Sequence, residues 1–383
     1  MIFNGDAVSD YIAARDITTR GIFPLISGTT DLIWLRQGPF FLYILGLLLP
    51  LFKYNPLAGG FFVAFTGMIS VFVIYKIGCY FFSRSTGIFA ALFYSTSPIN
   101  VIFDRYPSTR SFISLTTMLL FISIYFAIKK NIIFLLLSFL FLGLLLQLEL
   151  SNIIFIPVLL LVLYDFRREI PKKYILFGLF LFFFTWIPKI IYDLNHNFIL
   201  IRGFLSWSMQ NISPIRFFNH ERGFFPWDTS FLEVFYEFKK FVFWPSFLVT
   251  MLIFSISLIF IIKGFSLWER KRELGQYLIL LWLFFPLLGL FLKGLGSSSY
   301  LPSLFALPPL LIGNLVDSQK DSRKLIFIEI LVFIFVINGL LLVNKNYFMI
   351  SKDSQAGTFI NGFGQAFGMN KEASKYIIND TTQ

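Results

Sequence analysis

Two carboxylates open the chain, Asp6 and Asp10, in the run Gly5-Asp6-Ala7-Val8-Ser9-Asp10-Tyr11. At this spacing they share one face of any short helix formed there, directly before an apolar stretch. At a water–lipid boundary such a pair offers a proton acceptor, or hard oxygen ligands for a divalent cation. The plainer alternative is the first turn of a helix, where carboxylates favour the macrodipole. A second polar group follows Ser97-Pro98 and an apolar run: Asp104 and Arg105, with Arg110 five residues later. Two guanidinium forks suit phosphate oxygens, whereas Asp104 beside Arg105 also fits a local ion pair of little energetic weight. Glu149, in Leu146-Gln147-Leu148-Glu149-Leu150-Ser151-Asn152, is a lone carboxylate among leucines that needs a partner or water, or else marks a loop tip among headgroups. Residues 192–242 carry Asp193, His196, Arg202, Arg216, His220, Arg222, Asp228, Lys239 and Lys240, interleaved with Phe and Trp. With Trp207, Trp227 and Trp244, this is the pattern of a loop lying on the interface, and basic plus aromatic there fits an anionic lipid headgroup.

The solvent that these groups meet is set by composition. The chain has 383 residues, 57% hydrophobic and 20% aromatic with 53 Phe, and only 14% charged. A soluble domain carries about 25% charged residues, so this chain belongs in a bilayer. One cysteine, Cys79, excludes an internal disulfide framework, and two histidines exclude a His-built metal site. The net charge of +11 reports topology and contact with anionic lipid rather than nucleic acid. No P-loop, Gly-rich dinucleotide fingerprint or HExxH is present in the sequence.

A span needs about 20 mostly apolar residues. Spans are expected near 58–82, 86–103, 112–128, 131–148, 153–166, 174–191, 243–263, 276–293, 300–316 and 325–343. The segment 39–52 is short for a span and reads as a re-entrant or juxtamembrane helix. If it does not cross, one set of loops collects Lys76, Arg84, Lys129, Lys130, Arg167, Arg168, Lys172 and Lys173, then Lys263, Arg270, Lys271, Arg272, Lys320, Arg323 and Lys324. The opposite short loops hold only Arg105, Arg110 and Lys293. The positive-inside rule then puts the N-terminal segment, the loop at 104–111, the corner at 147–152, the loop at 192–242 and the C-terminal tail outside. An outside N-terminus expects an upstream crossing helix, for which Met1-Ile2-Phe3 is too short. The expected organisation is an external loop with juxtamembrane helices over 1–56, a transmembrane domain over 57–343 and an extracytoplasmic tail, cut short, over 344–383. The fold class is all-α: a polytopic bundle of about ten spans.

In this order the segments resemble the GT-C-type membrane glycosyltransferases, the polyprenyl-phosphate-sugar-dependent group that includes protein mannosyltransferases. The likeness rests on Gly5-Asp6, Gly21-Ile22-Phe23-Pro24 and Gly38-Pro39-Phe40-Phe41-Leu42-Tyr43, then on Ala58 to Tyr75, Ile88-Phe89-Ala90-Ala91 and Ser97-Pro98 through Arg105. Pro188 to Phe198 and Tyr300-Leu301-Pro302-Ser303-Leu304 continue it. The resemblance implies an external Asp base, placed at Asp6 with Asp10 as a second carboxylate, and an arginine contact to the lipid phosphate, placed at Arg105. Two departures stand out: Asp6 is followed by Ala7 rather than a second acid, and Glu149 stands where relatives often have His.

The reaction so implied moves a sugar from a polyprenyl monophosphate onto an acceptor hydroxyl, with inversion, at the extracytoplasmic face of the cell membrane. Asp6 and Asp10 would form the catalytic pair. Arg105, Arg110, Arg202 and Arg222, with Arg216 nearby, would hold the donor phosphate, and Asp104, Glu149 and His220 would complete the site. No cofactor is called for; were a divalent cation used, Asp6 and Asp10 would be the residues to hold it. The partners expected are the lipid-linked donor, membrane lipid and a glycan, lipid or protein acceptor. The alternative is a transporter or flippase of a lipid-linked saccharide, using the same basic and aromatic surface without bond breaking; a surface-polysaccharide polymerase or ligase would use a pyrophosphate-linked donor instead.

Overall fold

The computed structural model describes residues 2–3, 5–27, 34–168, 172–212, 239–264, 273–293, 301–319, 321–343 and 365–366. These residues are almost wholly helical. The helices are α1 (Gly5–Arg20), α2 (Phe40–Leu51), α3 (Leu57–Phe81), α4 (Arg84–Thr96), α5 (Pro98–Phe103), α6 (Ile113–Ile128), α7 (Ile132–Leu148), α8 (Phe155–Asp165) and α9 (Lys172–Asn195). They continue as α10 (Ile199–Ile212), α11 (Lys239–Val242), α12 (Phe247–Gly264), α13 (Leu274–Lys293), α14 (Leu307–Asp317) and α15 (Asp321–Val343). A short antiparallel ladder pairs Ile2 with Ala366 and Phe3 with Gln365.

Among the described residues, four segments are long and apolar enough to cross a membrane: Leu57–Phe81, Thr109–Ile128, Lys172–Asn195 and Arg323–Val343. The other apolar helices are shorter, Phe40–Leu51 among them. Helix α2 ends where Lys53 and Tyr54 adopt left-handed φ values of 53° and 58°. Asn55 then accepts a hydrogen bond from the Leu57 amide at 3.0 Å, which turns the chain into α3.

The expected span 86–103 is two helices. Proline disfavours helical backbone in the residue before it and lacks an N–H. Ser97 is accordingly extended (ψ 122°), α4 stops at Thr96, and α5 restarts with Pro98 at its first turn. The start of α4 is capped by Ser83, whose side chain accepts from the Thr86 amide at 3.0 Å.

Helices pack mainly on sequence neighbours, as α3 on α4, α6 on α7 and α1 on α2, with α9 returning to α7 and α14 to α4. In apolar surroundings small residues let backbones approach closely. A Cβ on Gly78 of α3 would lie 2.5 Å from the Cα of Gly87 in α4, so the two helices meet backbone to backbone. Deeper in the core Trp282 stacks on Phe121 at 4.3 Å and donates its indole N–H to the Ser303 carbonyl at 2.7 Å. Asn338 of α15 satisfies the corner after α11, donating to Val242 O at 2.7 Å and accepting from the Trp244 amide at 3.1 Å. Much of α9 faces outward: Leu176, Phe177, Phe180, Phe183 and Phe184 are exposed, as for a helix at a lipid boundary.

The two ends of the bundle can be told apart by what touches α3. Near its start, Gly59 meets Tyr11 and Pro107; at its far end Phe81 meets Gly275 and Tyr125.

Gly78→Val should force α3 and α4 apart, because the obstacle is backbone rather than a movable side chain. We expect a loss of about 1–3 kcal/mol, read as a lowered melting temperature of the detergent-solubilised protein.

Candidate functional site

At the Gly59 end three segments meet around one glutamine. The buried stripe of α1 is Ala7, Asp10, Tyr11 and Ala14, a helical spacing that places Asp10 inside the packed face rather than on a solvated lip. Tyr11 fixes this register by donating its hydroxyl to the Pro56 carbonyl at 2.5 Å. Its phenol is pushed above its ordinary value by burial, which keeps it a donor. Asp10 accepts a hydrogen bond from the buried Ser27 hydroxyl at 3.2 Å. Ser27 in turn pairs with Gln37 as an isolated antiparallel bridge, its amide donating to the Gln37 carbonyl at 2.9 Å.

Gln37 carries the connection onward. Its side-chain amide donates to Glu149 Oε2 at 3.2 Å and its oxygen accepts from the Thr109 hydroxyl at 2.7 Å. The adjacent Gly38 amide donates to the Gln147 carbonyl at 2.7 Å. A Cβ at Gly38 would fall 2.3 Å from Gln147 Oε1, so any larger residue here would have to displace the Gln147 side chain. Arg110 completes the cluster from the second loop, its Nε standing 3.9 Å from Glu149 Oε2. The first loop, the loop before α6 and the α7–α8 corner are thereby held as one polar unit.

Glu149 owes its position to the way α7 ends. It is extended (φ −160°, ψ 125°), and Asn152 folds back to donate to the carbonyls of Leu145 and Glu149 at 3.1 and 3.0 Å. These bonds add a side-chain donor to carbonyls that already accept from the Glu149 and Asn152 amides, and so tie the corner to the end of α7. Lys189 of α9 is buried as well, with its ammonium 4.9 Å from the Trp186 ring centre. Asp193 is engaged elsewhere: its carboxylate accepts from the amides of Leu200 and Ile201 at 2.6 and 3.3 Å and so caps α10.

Of the residues anticipated from sequence, Asp10, Arg110 and Glu149 are thus brought together. Asp6 stands one turn before Asp10 in α1. Asp104 does not pair with Arg105: among the described residues its carboxylate makes no salt bridge and packs against Gly67 of α3. Burial there raises it to about 7. Arg202 lies on the exposed face of α10, whose other face packs Gly203, Phe204 and Trp207 on Trp34. His196 stacks on Tyr192 at 3.9 Å. Arg216, His220 and Arg222 lie outside the described residues. No group of three or more His, Cys, Asp and Glu arranged for a metal is found among the described residues.

Sequence reasoning missed Gln37, Ser27 and Lys189. Lys189 had a signal, being a solitary cation inside an apolar segment. Gln37 and Ser27 had none, since neutral polar residues in loops are ordinary.

Comparison with known proteins places this architecture. Residues 36–192 match the family model of dolichyl-phosphate-mannose-protein mannosyltransferase. The fold is that of GT-C glycosyltransferases. It aligns with ArnT from Cupriavidus metallidurans bound to undecaprenyl phosphate at a TM-score of 0.54 and 12% identity, over 86% of this chain and 59% of that one. It also aligns with the archaeal oligosaccharyltransferase AglB from Archaeoglobus fulgidus, in complex with an inhibitory peptide and a dolichol-phosphate, at a TM-score of 0.54 and 9% identity, over 96% and 56% of the two chains. At these identities the likeness is one of fold. The chain spans a little over half the length of each. No curated protein matches it in sequence.

Gln37→Leu should cost about 1–3 kcal/mol, because it leaves the buried Glu149 and Thr109 groups without this partner; thermal unfolding in detergent reads this out. Asp104 gives a pH signature. An acid whose value is raised on folding holds its proton in the folded state after the unfolded chain has lost it. Stability should therefore fall as pH rises from about 3.8 to about 7. Asp104→Asn should flatten this slope and melt above the parent at pH 8, with the two nearly equal at pH 4.

Proposed function

We propose that the chain is a glycosyltransferase that moves a sugar from a polyprenyl-phosphate carrier to an acceptor hydroxyl at the extracytoplasmic membrane face. The observation that carries this reading is the convergence of Asp10, Gln37, Arg110 and Glu149, from three separate segments, at one end of a bundle with the GT-C fold. The family match over 36–192 includes three of these four residues. The basic loops fall on the other side in the sequence-based topology, which supports an outside location for the polar unit.

In the proposed reaction the acceptor hydroxyl attacks the anomeric carbon from the face opposite the carrier. The new C–O bond forms as the bond to the phosphate oxygen breaks, and the electron pair leaves with polyprenyl phosphate. The hydroxyl proton passes to a carboxylate of the α1 pair, Asp6, with Asp10 supporting it from the next turn. Inversion follows from a single displacement. Phosphate leaves readily but its developing charge must be held, a role for Arg105 and Arg110 in the second loop. Arg202, Arg216 and Arg222 would approach the same headgroup from the residue 192–242 segment, with His220, Asp104 and Glu149 shaping the site. If the reaction uses a divalent cation, Asp6 and Asp10 would hold it, and its charge would help fix the donor phosphate.

The test is transfer from a panel of radiolabelled polyprenyl-phosphate sugars by membranes carrying the chain. Asp6→Asn should lower transfer by about 10²–10⁴-fold, the range for a lost general base, with donor binding retained. Arg105→Ala and Arg110→Ala should each weaken donor binding by roughly tenfold, as for one lost charge-assisted hydrogen bond. Binding without transfer from any donor would instead indicate a lipid-saccharide transporter.

A further inference from the structure

Helices α7 and α9 run side by side in the same direction: Phe139 meets Gly178, and one turn on Gly143 meets Phe182 and Thr185. A Cβ on Gly143 would lie 2.4 Å from the Thr185 hydroxyl, so the two helices are in close contact here. One turn further, on the same two faces, stand Gln147 and Lys189. Both are buried, at 4% and 5% exposure. Among the described residues the Gln147 carboxamide oxygen has no hydrogen-bond partner, and the Lys189 ammonium makes no hydrogen bond and no ion pair within 4 Å. That ammonium lies over the Trp186 ring, whose own buried indole N–H has no acceptor among the described residues. Asp193, one turn beyond Lys189, directs its oxygens to the α10 amides. Gln147 rests against Gly38, the neighbour of Gln37, so this open bonding capacity borders the polar unit described above.

Buried polar groups are normally paired, and each one left open calls for an explanation. The chemistry of these three narrows what would fill them. A phosphate diester or a carboxylate only accepts, so it would satisfy Lys189 and Trp186 and leave the Gln147 oxygen open. A metal cation would suit that oxygen but would meet the charge of Lys189. A hydroxyl both donates and accepts. It can give its hydrogen to Gln147 and take one from Lys189 or Trp186. We infer that the α7–α9 seam at Gln147 and Lys189 is a saccharide subsite, in which a sugar hydroxyl bridges the two side chains. The subsite rests on the geometry alone, and the identity of the saccharide rests on the glycosyltransferase reading. The hydroxyl belongs either to the sugar on the carrier or to a sugar of the acceptor, and the test separates the two.

The experiment uses the full chain in lipid nanodiscs and two kinds of radiolabelled probe: the polyprenyl-phosphate sugars of the transfer panel, and polyprenyl phosphate without sugar. Gln147→Leu should weaken binding of the sugar-bearing carrier about tenfold, the scale of one lost hydrogen bond, and leave the bare carrier within about twofold. Lys189→Met should do the same. The double variant should lose no more than either single, since one hydroxyl bridges both side chains; additive losses would overturn the bridge. Without ligand, Gln147→Leu should melt no lower than the parent, because no bond within the protein is broken. A lowered melting temperature would overturn the subsite, the carboxamide then being bonded inside the protein. Equal weakening of both probes would overturn the hydroxyl assignment in favour of the phosphate. A raised acceptor KM with carrier binding unchanged would uphold the subsite and assign it to the acceptor saccharide. If the parent transfers sugar while Gln147→Leu alters neither carrier binding nor acceptor KM, the subsite fails and the transfer reading stands. A sugar-dependent binding loss in a chain whose parent transfers from no donor would do the reverse.

Discussion

The side-chain amide of Gln37 is the joint on which the polar end of this molecule depends. It donates to Glu149 and accepts from Thr109, while its backbone holds Ser27. An amide has one acceptor and two donor hydrogens in a fixed plane, so satisfying both neighbours leaves it little freedom. Three segments far apart in sequence are fixed relative to one another by that plane. Apolar packing could bring them near, but dispersion and burial are non-directional. Only the hydrogen bonds specify which way the first loop faces.

This has a chemical consequence. A site that transfers a group between two bound partners gains most from charges and dipoles that need no reorganisation when the reaction occurs. Asp10 lies in the packed stripe of α1 and is oriented by Ser27, and the phenol of Tyr11 locks the same helix to the start of α3. The carboxylate is thus carried by a helix, rather than a loop, and that helix is pinned at both its neighbours. Burial also strengthens each local interaction by lowering the effective dielectric, which is why one neutral residue such as Gln37 matters among several charged ones.

The helices and their order were legible because long apolar runs leave few alternatives in a bilayer. So was the break after Thr96, in principle, since Ser97-Pro98 carries the steric rule that divides α4 from α5; reading 86–103 as continuous gave hydropathy too much weight over proline. Within the site, charge was legible and pairing was not. Asp10, Arg110 and Glu149 stand out by type, yet adjacency left an Asp104–Arg105 ion pair open as one alternative, whereas the structure turns Asp104 onto Gly67. Adjacent residues on a helix end point in different directions, so sequence adjacency is a poor guide to ion pairing. Ser27 and Gln37 were illegible for a different reason: their importance comes from what they touch across long stretches of chain, as with Gln37 and Thr109.

Chain breaks gather where the polar groups do. Ser97 is extended before Pro98, Glu149 is extended after α7, and Asn197 and Phe198 take left-handed conformations after α9. In an apolar medium a helix must satisfy its own backbone, and irregular backbone is tolerated only where protein or a water-filled recess supplies partners. Here side chains are among the partners: Asn152 adds a donor to carbonyls at the end of α7, and Asp193 covers amides at the start of α10. The same polar residues that make the breaks tolerable therefore stand at the edge of the candidate site. On the proposed glycosyl-transfer reading, a charged headgroup would enter where helices stop short and side chains close the exposed ends, and in this chain one set of residues would meet both needs.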